Sequence, residues 1–442
     1  MFEALNPLPQ DPILQLMQQF REDTRPEKVD LGIGVYKDDA GNTPIMAAVN
    51  EAERRLLEGE TTKSYVGPAG SAGFNNAMAA LILGDNSPLI RDGRISVVQT
   101  PGGCGALRMA AEFLRLCETD TTVWVSTPTW ANHLPLLGGA GLTIREYSYL
   151  NPKTLEVDFT SMQETLETAE AGDVVLLHGC CHNPSGADLS LEQWKEVTSL
   201  IQRKGLLPLV DMAYQGLGEG LEADAAGVRH LAAAVPEMMI AASCSKNFGL
   251  YRERTGALAL ISGTASVNSA ATSQLLGIIR SHYSMPPAHG AAIVETILGD
   301  DGLRAQWQDE LDGMCKRILH LRHAFADTLA PVGDFRFIAR QRGMFSFLGI
   351  SLEQVAIRHG SLTGFRLRLG QPGNACGKTA ARKHLLKGRN VHVRNQLADA
   401  RLQLGQVGAV IDQAFDLGAD SDIEDREVLI ASTDEMGCGF ED

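Results

Sequence analysis

The segment Ser243-Cys244-Ser245-Lys246, followed by Arg254, brings two hydroxyls, an amine and a guanidinium together just beyond the apolar run MMIAA. A lysine whose pKa is depressed by burial or by neighbouring cations can condense with an aldehyde, and hydroxyls with a guanidinium can hold a dianionic phosphate. Alone, Ser-x-Ser-Lys reads more readily as a solvated loop. The weight of the reading rests on what accompanies it.

Pyridoxal phosphate is a cofactor that needs this inventory. Asp211 closes the run LLPLV and Tyr214 follows shortly after it. A carboxylate there can pair with a protonated pyridine nitrogen and keep the ring an electron sink, while a phenol can donate to the ring's O3′. Asp211 reads equally as a helix cap. Asn183, in HGCCHNPSG, lies in an Asn-Pro turn from which its amide can also reach O3′. Trp130, in TPTWANH, can stack on a planar ring or fill a core. TPGGCGAL places Gly102, Gly103 and Cys104 at a helix start, where free N–H groups and the helix dipole favour phosphate. It does not match G-x-G-x-x-G, which disfavours a dinucleotide.

The elements that must position these residues are legible as alternation. From about residue 95 to 262, short apolar runs (ISVVQ, VWVS, DVVLLHG, LLPLVD, MMIAAS, GALALIS) alternate with helical stretches such as LEQWKEVTSLIQRKG. Buried strands alternating with helices predict an α/β domain with a mostly parallel sheet, whose ligands gather at the carboxyl ends of strands. Asp11-Pro12 followed by Ile13, Leu14, Leu16, Met17 and Phe20 predicts an N-capped amphipathic helix. It leads into VDLGIGVY, where Gly32 and Gly34 suit close approach to the backbone. Residues 302–330 read as one long amphipathic helix, and FRFIARQRGMFSFLGI after it as two strands joined by a turn.

Composition bounds the function. At 442 residues, with 44% hydrophobic and 21% charged residues, the chain has room for two domains. No apolar run approaches the roughly 20 residues that span a bilayer, so membrane function is not expected. A formal charge of −15 argues against nucleic acid as the partner. The start of the chain shows no basic region followed by an apolar one, and the eight cysteines, Cys180 and Cys181 adjacent, suit free thiols. A cytoplasmic location is expected.

The chain resembles the class I aminotransferases, in the aspartate and aromatic amino acid branch, from residue 7 to about 355. The motifs that carry the resemblance are VDLGIGVYKD, TTKSYVG, TPGGCGALR, HGCCHNPSG, DMAYQG, SCSKNFGLYRERTG, YSMPPAHGA and GMFSFLG, in that order. It implies the fold type I of pyridoxal-phosphate-dependent transferases, with a large cofactor domain and a smaller α/β domain. It implies Lys246 as the Schiff-base lysine and as the base that moves a proton between Cα and C4′. Asp211 would pair with the pyridinium, Tyr214 and Asn183 would hold O3′, and Trp130 would stack on the ring, with His133 and His178 supporting Asp211. Ser243, Ser245, Arg254, Gly103 and Cys104 would form the phosphate cup, joined by Tyr65 from a second subunit. Gly34 would offer its N–H to the substrate carboxylate, and Arg280 would cross from the neighbour to bind a side-chain carboxylate. The implied protein is a homodimer with shared active sites, acting on an acidic or aromatic amino acid and a 2-oxo acid, with no metal. The implied division is an N-terminal arm with part of the small domain over 1–43, the large domain over 44–307, the small domain over 308–355, and an atypical tail over 356–442.

Three departures from the family stand out. Cys104 occupies a position where threonine is common, and a thiol is the weaker donor. Met285 occupies one where asparagine is common. In the tail, residues 356–394 carry nine Arg or Lys and no acid, and residues 395–442 carry twelve acids with only Arg401 and Arg426. Such segregation is unlike a folded surface. The family's Gly-Arg-x-Asn-x-Ala-Gly motif is missing, its place falling near Gly370–Gly377, with Arg366, Arg368 and Arg389 as the available substitutes. A reading-frame disruption near residue 355 is the resulting hypothesis, and resequencing the 3′ end of the coding DNA decides it. GNACGKT is one residue short of a P-loop and has Pro372 for its first glycine, while the ligands of HGCCH are too crowded for one tetrahedral zinc.

Overall fold

The apolar runs become strands because both of their faces are covered. In β4 (Val174–His178), Val174 and Leu176 enter one core while Val175 and Leu177 enter another across the sheet. A strand buried on both faces reads as a continuous apolar run rather than an alternating one. The same holds for β5 (Leu207–Met212) and β6 (Met238–Ser243). The computed structural model describes residues 2–7, 18, 20–24, 34–331 and 333–349.

With β1 (Ile95–Pro101), β2 (Thr122–Thr127), β3 (Thr143–Ser148) and β7 (Thr255–Ile261), these strands form a seven-stranded sheet in the order β1-β7-β6-β5-β4-β2-β3. Strands β2 to β6 pair in parallel, and β7 runs antiparallel to both β1 and β6. The expected mostly parallel sheet is therefore present, with one reversed strand. Edge strand β3, TIREYS, has no apolar run to announce it, because only Tyr147 is buried.

Helices flank the sheet. Helix α1 (Gly102–Cys117) starts directly at the end of β1, and α2 (His133–Gly138) follows β2. Helix α3 (Leu191–Lys204) begins with a capping box between Ser190 and Gln193 and ends on the left-handed Gly205. Next come α4 (Leu221–Ala234) and α5 (Ala265–His282). The predicted long helix is α6 (Asp301–Leu329), capped by the Asp300 carboxylate, which accepts the Leu303 N–H at 2.9 Å. Its buried positions, Leu303, Trp307, Leu311, Met314, Ile318 and Leu321 among them, recur every three or four residues along one face. No described helix is long and apolar enough to cross a membrane.

Trp307 ties α6 to the segment that bears Lys246. It is fully buried, lies parallel to the Phe248 ring at 4.4 Å, and donates its indole N–H to the Asn247 carbonyl at 2.7 Å. Trp307→Ala is expected to destabilise the chain by about 3–5 kcal/mol through loss of contacts and a residual cavity. Equilibrium urea unfolding checks this as a lower midpoint at an unchanged slope.

The two strands expected in FRFIARQRGMFSFLGI are not formed. Phe337–Arg340 is a short helix, α7, and residues 341–349 contain no strand. The backbone groups of this segment are satisfied elsewhere: four carbonyls accept from the Arg322 guanidinium, and the Arg342 N–H donates to the Gly186 carbonyl at 2.7 Å. Of the expected helix over residues 11–20, only residues 18 and 20 lie among the described residues, and both are helical. Gly32 and the tail from residue 350 lie outside the described residues, as do Arg366, Arg368 and Arg389.

Candidate active site

Strand register assembles the site. His178 pairs with Asp211 across β4 and β5, Asp211 with Ala241 across β5 and β6, Ser243 with Gly256 across β6 and β7, and Pro101 with Thr255 across β1 and β7. The loops after β1, β4, β5 and β6 therefore open on one edge of the sheet, which gathers Gly102–Cys104, Asn183, Tyr214 and Lys246.

One part of that edge is a cradle shaped by glycine. Gly102 has φ of +71°, and a Cβ on it would lie 2.6 Å from Nη2 of Arg254. A Cβ on Gly103 would lie 3.1 Å from Cβ of Ser243. The first turn of α1, Ser243 and Arg254 thus converge closely enough that side chains at 102 and 103 would obstruct them. Arg254 itself has φ of +52°, a strained setting for a side-chain-bearing residue, and donates to the Tyr251 carbonyl at 3.0 Å. Ser243 Oγ accepts the Ser245 N–H at 3.2 Å, and Cys104 Sγ accepts from Asn132 Nδ2 at 3.4 Å. Backbone N–H groups, two hydroxyls and a guanidinium around a helix start are a donor set for a phosphate dianion.

Beside the cradle lie Lys246, Asp211 and Tyr214. The Lys246 ammonium is 4.6 Å from the centre of the Tyr214 ring. Burial lowers the Lys246 pKa, Asp211 opposes the shift, and Arg254 adds to it. Burial alone would raise the Asp211 carboxyl, yet the hydrogen bond from His133 and the positive charge of Lys246 help to hold it below the usual carboxylate range. Asp211 is 7% exposed and ionised at neutral pH.

An ionised carboxylate can only accept, which gives the hydrogen bonds behind it a direction. His133 donates from Nε2 to Asp211 Oδ2 at 3.1 Å, and as the neutral imidazole its Nδ1 accepts from Thr129 Oγ1 at 2.8 Å. Thr129 Oγ1 then accepts from His178 Nε2 at 3.2 Å. Burial depresses the His178 pKa to about 3, so this histidine is neutral. Trp130 stands edge-on to His133 at 5.3 Å. His182 stacks on Tyr149 at 4.1 Å with its two ring nitrogens against Ser126 and Ser185. Asp188 accepts the Cys181 and His182 N–H groups at 2.7 Å each, fixing the turn that presents Asn183. Burial raises the Asp188 carboxyl to about 6.

The remaining predicted residues are placed differently. Gly34 lies against Phe345, whose Cζ would be 2.4 Å from a Cβ at position 34. Tyr65 is 92% exposed, and Arg280 is exposed on the last turn of α5 with its guanidinium on Ser284. Within one chain no described hydrogen bond joins either of them to the site. Cys180 and Cys181 place their sulfurs within 4.8 Å of an Asp224 carboxylate oxygen. That carboxylate accepts the N–H groups of Gly216, Gly218 and Glu219, and the histidines of HGCCH face hydroxyls instead. The six described cysteines are free thiols.

Sequence reasoning missed Thr129 and Phe345. Thr129 adjoins Trp130 inside the quoted TPTWANH, and only the fold shows its hydroxyl bridging two imidazoles. Phe345 lies in the quoted GMFSFLG, and its ring meets Tyr214 edge-on at 5.5 Å.

Residues 26–395 match the family model described as aminotransferase class I and II, which extends beyond residue 355, where the motif resemblance ends. The chain is 51% identical over 358 residues to the aspartate aminotransferase of Salmonella typhi, and 49% identical over 358 residues to the aromatic-amino-acid aminotransferase of Paracoccus denitrificans. Each alignment covers 80% of this chain and 90% of the relative. The crystal structure of the aromatic-amino-acid aminotransferase from Burkholderia pseudomallei, covalently bound to pyridoxal phosphate, superposes with a TM-score of 0.81 at 38% identity, over 91% of this chain and 99% of that one. Its fold is thus the fold type I of pyridoxal-phosphate-dependent transferases, and with its family match and these identities the chain belongs to the class I and II aminotransferases.

Proposed function

We propose that this enzyme transfers the amino group of an acidic or aromatic L-amino acid to a 2-oxo acid, 2-oxoglutarate or oxaloacetate, with pyridoxal phosphate carried on Lys246. The observation that carries the reading is the convergence, at one strand edge, of a pKa-lowered amine, an ionised buried carboxylate and a glycine-lined anion cradle. Pyridoxal phosphate supplies an aldehyde for amines and a ring that accepts the electron pair left at the substrate Cα.

The chain's own residues supply the rest. Gly103, Cys104, Ser243, Ser245 and Arg254 hold the phosphate, with Tyr65 of a second subunit completing the cup. Asp211, held ionised and oriented by His133, keeps a proton on the ring nitrogen. Tyr214 and Asn183 donate to the ring oxygen, and Trp130 covers one ring face. Lys246 Nζ, its basicity reduced by burial, takes the proton from the substrate Cα. Gly34 and Asn183 bind the α-carboxylate end, and Arg280 from the second subunit binds a side-chain carboxylate. The exposure of Tyr65 and Arg280 supports a homodimer in which each is covered by its neighbour's site. The chain divides into 1–43, 44–307, 308–355 and 356–442, with α6 running from the large domain into the small one, and it works in the cytoplasm.

A second reading is favoured by the tail: a pyridoxal-phosphate-binding protein with impaired catalysis, because no arginine stands where the family's substrate-carboxylate motif requires one. The absorbance spectrum of the full chain with pyridoxal phosphate, before and after aspartate, tests both. A visible band that aspartate converts supports transamination, and steady-state rates on aspartate, tyrosine and phenylalanine then set the specificity. A band that no amino acid alters favours the second reading. Absence of any band sinks both.

A further inference from the structure

We propose that Arg322 is a positioning residue of the active site: its buried guanidinium gathers the carbonyls of residues 338–345 and so sets the Phe345 ring against Tyr214 and Gly34. The inference deepens the functional reading above and rests on it.

Arg322 is 0% exposed, in the middle of the otherwise apolar face of α6. A fully buried cation is costly unless its donors are met, and no carboxylate lies within ion-pair distance of it among the described residues. Its partners are all backbone carbonyls: Gly343 at 2.9 Å from Nε and 2.7 Å from Nη2, Ile338 at 3.1 Å, Arg342 at 3.1 Å, and Phe345. Burial lowers the guanidinium to about 10, opposed by Cys181 and Asp188 nearby, so it stays charged at neutral pH. No residue other than arginine offers five donors in a rigid planar fork to such a ring of acceptors. A packing role alone would be met by leucine or methionine.

The clamped segment leads directly into the site. Gly343 has φ of +75°, and a Cβ there would lie 2.4 Å from Cβ of Cys181. A Cβ on Gly186 would lie 2.5 Å from the Phe345 carbonyl, and Arg342 N–H is bonded to Gly186. Residues 341–345 are therefore seated on the 181–186 turn that presents Asn183. From that seat the Phe345 ring projects between Tyr214, edge-on at 5.5 Å, and Gly34, which has no room for a side chain beside it. Phe345 is 3% exposed and Tyr214 is 5% exposed, so a shift of the ring must displace the phenol. Arg322 thus acts on the site through Phe345, without touching cofactor or substrate.

The test is a double-mutant cycle in the full-length chain with pyridoxal phosphate: Arg322→Lys, Phe345→Leu and the pair, with Arg322→Met as the severe variant. The readouts are the dissociation constant for pyridoxal phosphate, the pH midpoint of its visible band, and kcat and KM for aspartate. Each single variant is expected to shift the midpoint in the same direction and to lower kcat/KM about tenfold, which is about 1.4 kcal/mol. The pair is expected to be little worse than the poorer single variant, since both break one linkage, and lysine is expected to retain more function than methionine. Additive effects overturn the proposal. So do an unchanged midpoint and unchanged kcat/KM in an Arg322→Lys protein that only melts lower, for the residue is then structural. Should Arg322→Met fail to fold, the lysine and leucine cycle decides. Should the unaltered chain bind cofactor without turning over, the midpoint and dissociation constant carry the same cycle. An unaltered chain with no visible band refutes the functional reading itself, a result distinct from a normal band that the variants leave unmoved.

Discussion

Lys246→Ala is expected to abolish the visible absorbance of the bound cofactor and to lower turnover at least about 10⁴-fold, the upper range for loss of a positioned general base. The expectation follows from three properties of one amine. It lies at the strand edge 4.6 Å from the Tyr214 ring, burial has weakened its hold on its proton, and Asp211 and Arg254 act on it with opposite sign. Its removal takes away the group that anchors the cofactor and the group that moves the substrate's α-proton. The cradle is untouched, so cofactor affinity should fall less than turnover. A small primary amine added to the buffer should restore part of the rate, because the vacated volume admits it. Stopped-flow absorbance and steady-state assays check both. An alanine variant with a normal visible band would show that another lysine carries the cofactor.

The second large effect belongs to Asp211. A contact ion pair in an environment of effective dielectric about 20 is worth roughly 4 kcal/mol, or about 10³-fold in rate if it is lost from the transition state. Asp211→Ala is expected to lower kcat by that amount. Asp211→Asn is the sharper probe: its amide oxygen can still accept from His133, so the fold should persist while the charge disappears. Both variants should bind pyridoxal phosphate in the cradle, with a visible band displaced in its pH dependence. Turnover of the asparagine variant within about tenfold of the parent, a difference of only about 1.4 kcal/mol, would remove the pairing with a protonated ring nitrogen from the mechanism.

The relay behind Asp211 explains why so buried a carboxylate stays charged. Desolvation favours the neutral acid, yet the His133 Nε2–H donates to Asp211 and the nearby Lys246 charge favours the carboxylate, while the other His133 nitrogen faces Thr129. His178, neutral through burial, in turn supplies the proton that Thr129 accepts. In this arrangement every member presents the polarity its neighbour requires.

The covered strands, the long helix and the candidate residues that the fold brings to one strand edge were all legible in the chain. Runs such as VVLLH and LLPLVD announced β4 and β5 because each residue has an apolar face to enter, and α6 announced itself through its three-and-four spacing. Lys246, Asp211, Tyr214, Asn183, Trp130 and the Gly102–Cys104 start could be named because each lies at, or a few residues past, the end of an apolar run visible in the chain. Edge strand β3 was hidden, since a strand buried at one residue carries no apolar run. Residues 335–349 were misjudged as strands, because their alternation of apolar and polar residues says nothing of where their carbonyls bond, and those bonds run to Arg322. The remaining features rest on contacts between distant parts of the chain. The link from His133 to Asp211 spans 78 residues, that from Thr129 to His178 spans 49, and the clamp from Arg322 reaches the segment carrying Phe345. Such contacts join side chains whose spacing has no periodicity, so their meeting depends on strand order and register, which local pattern does not encode.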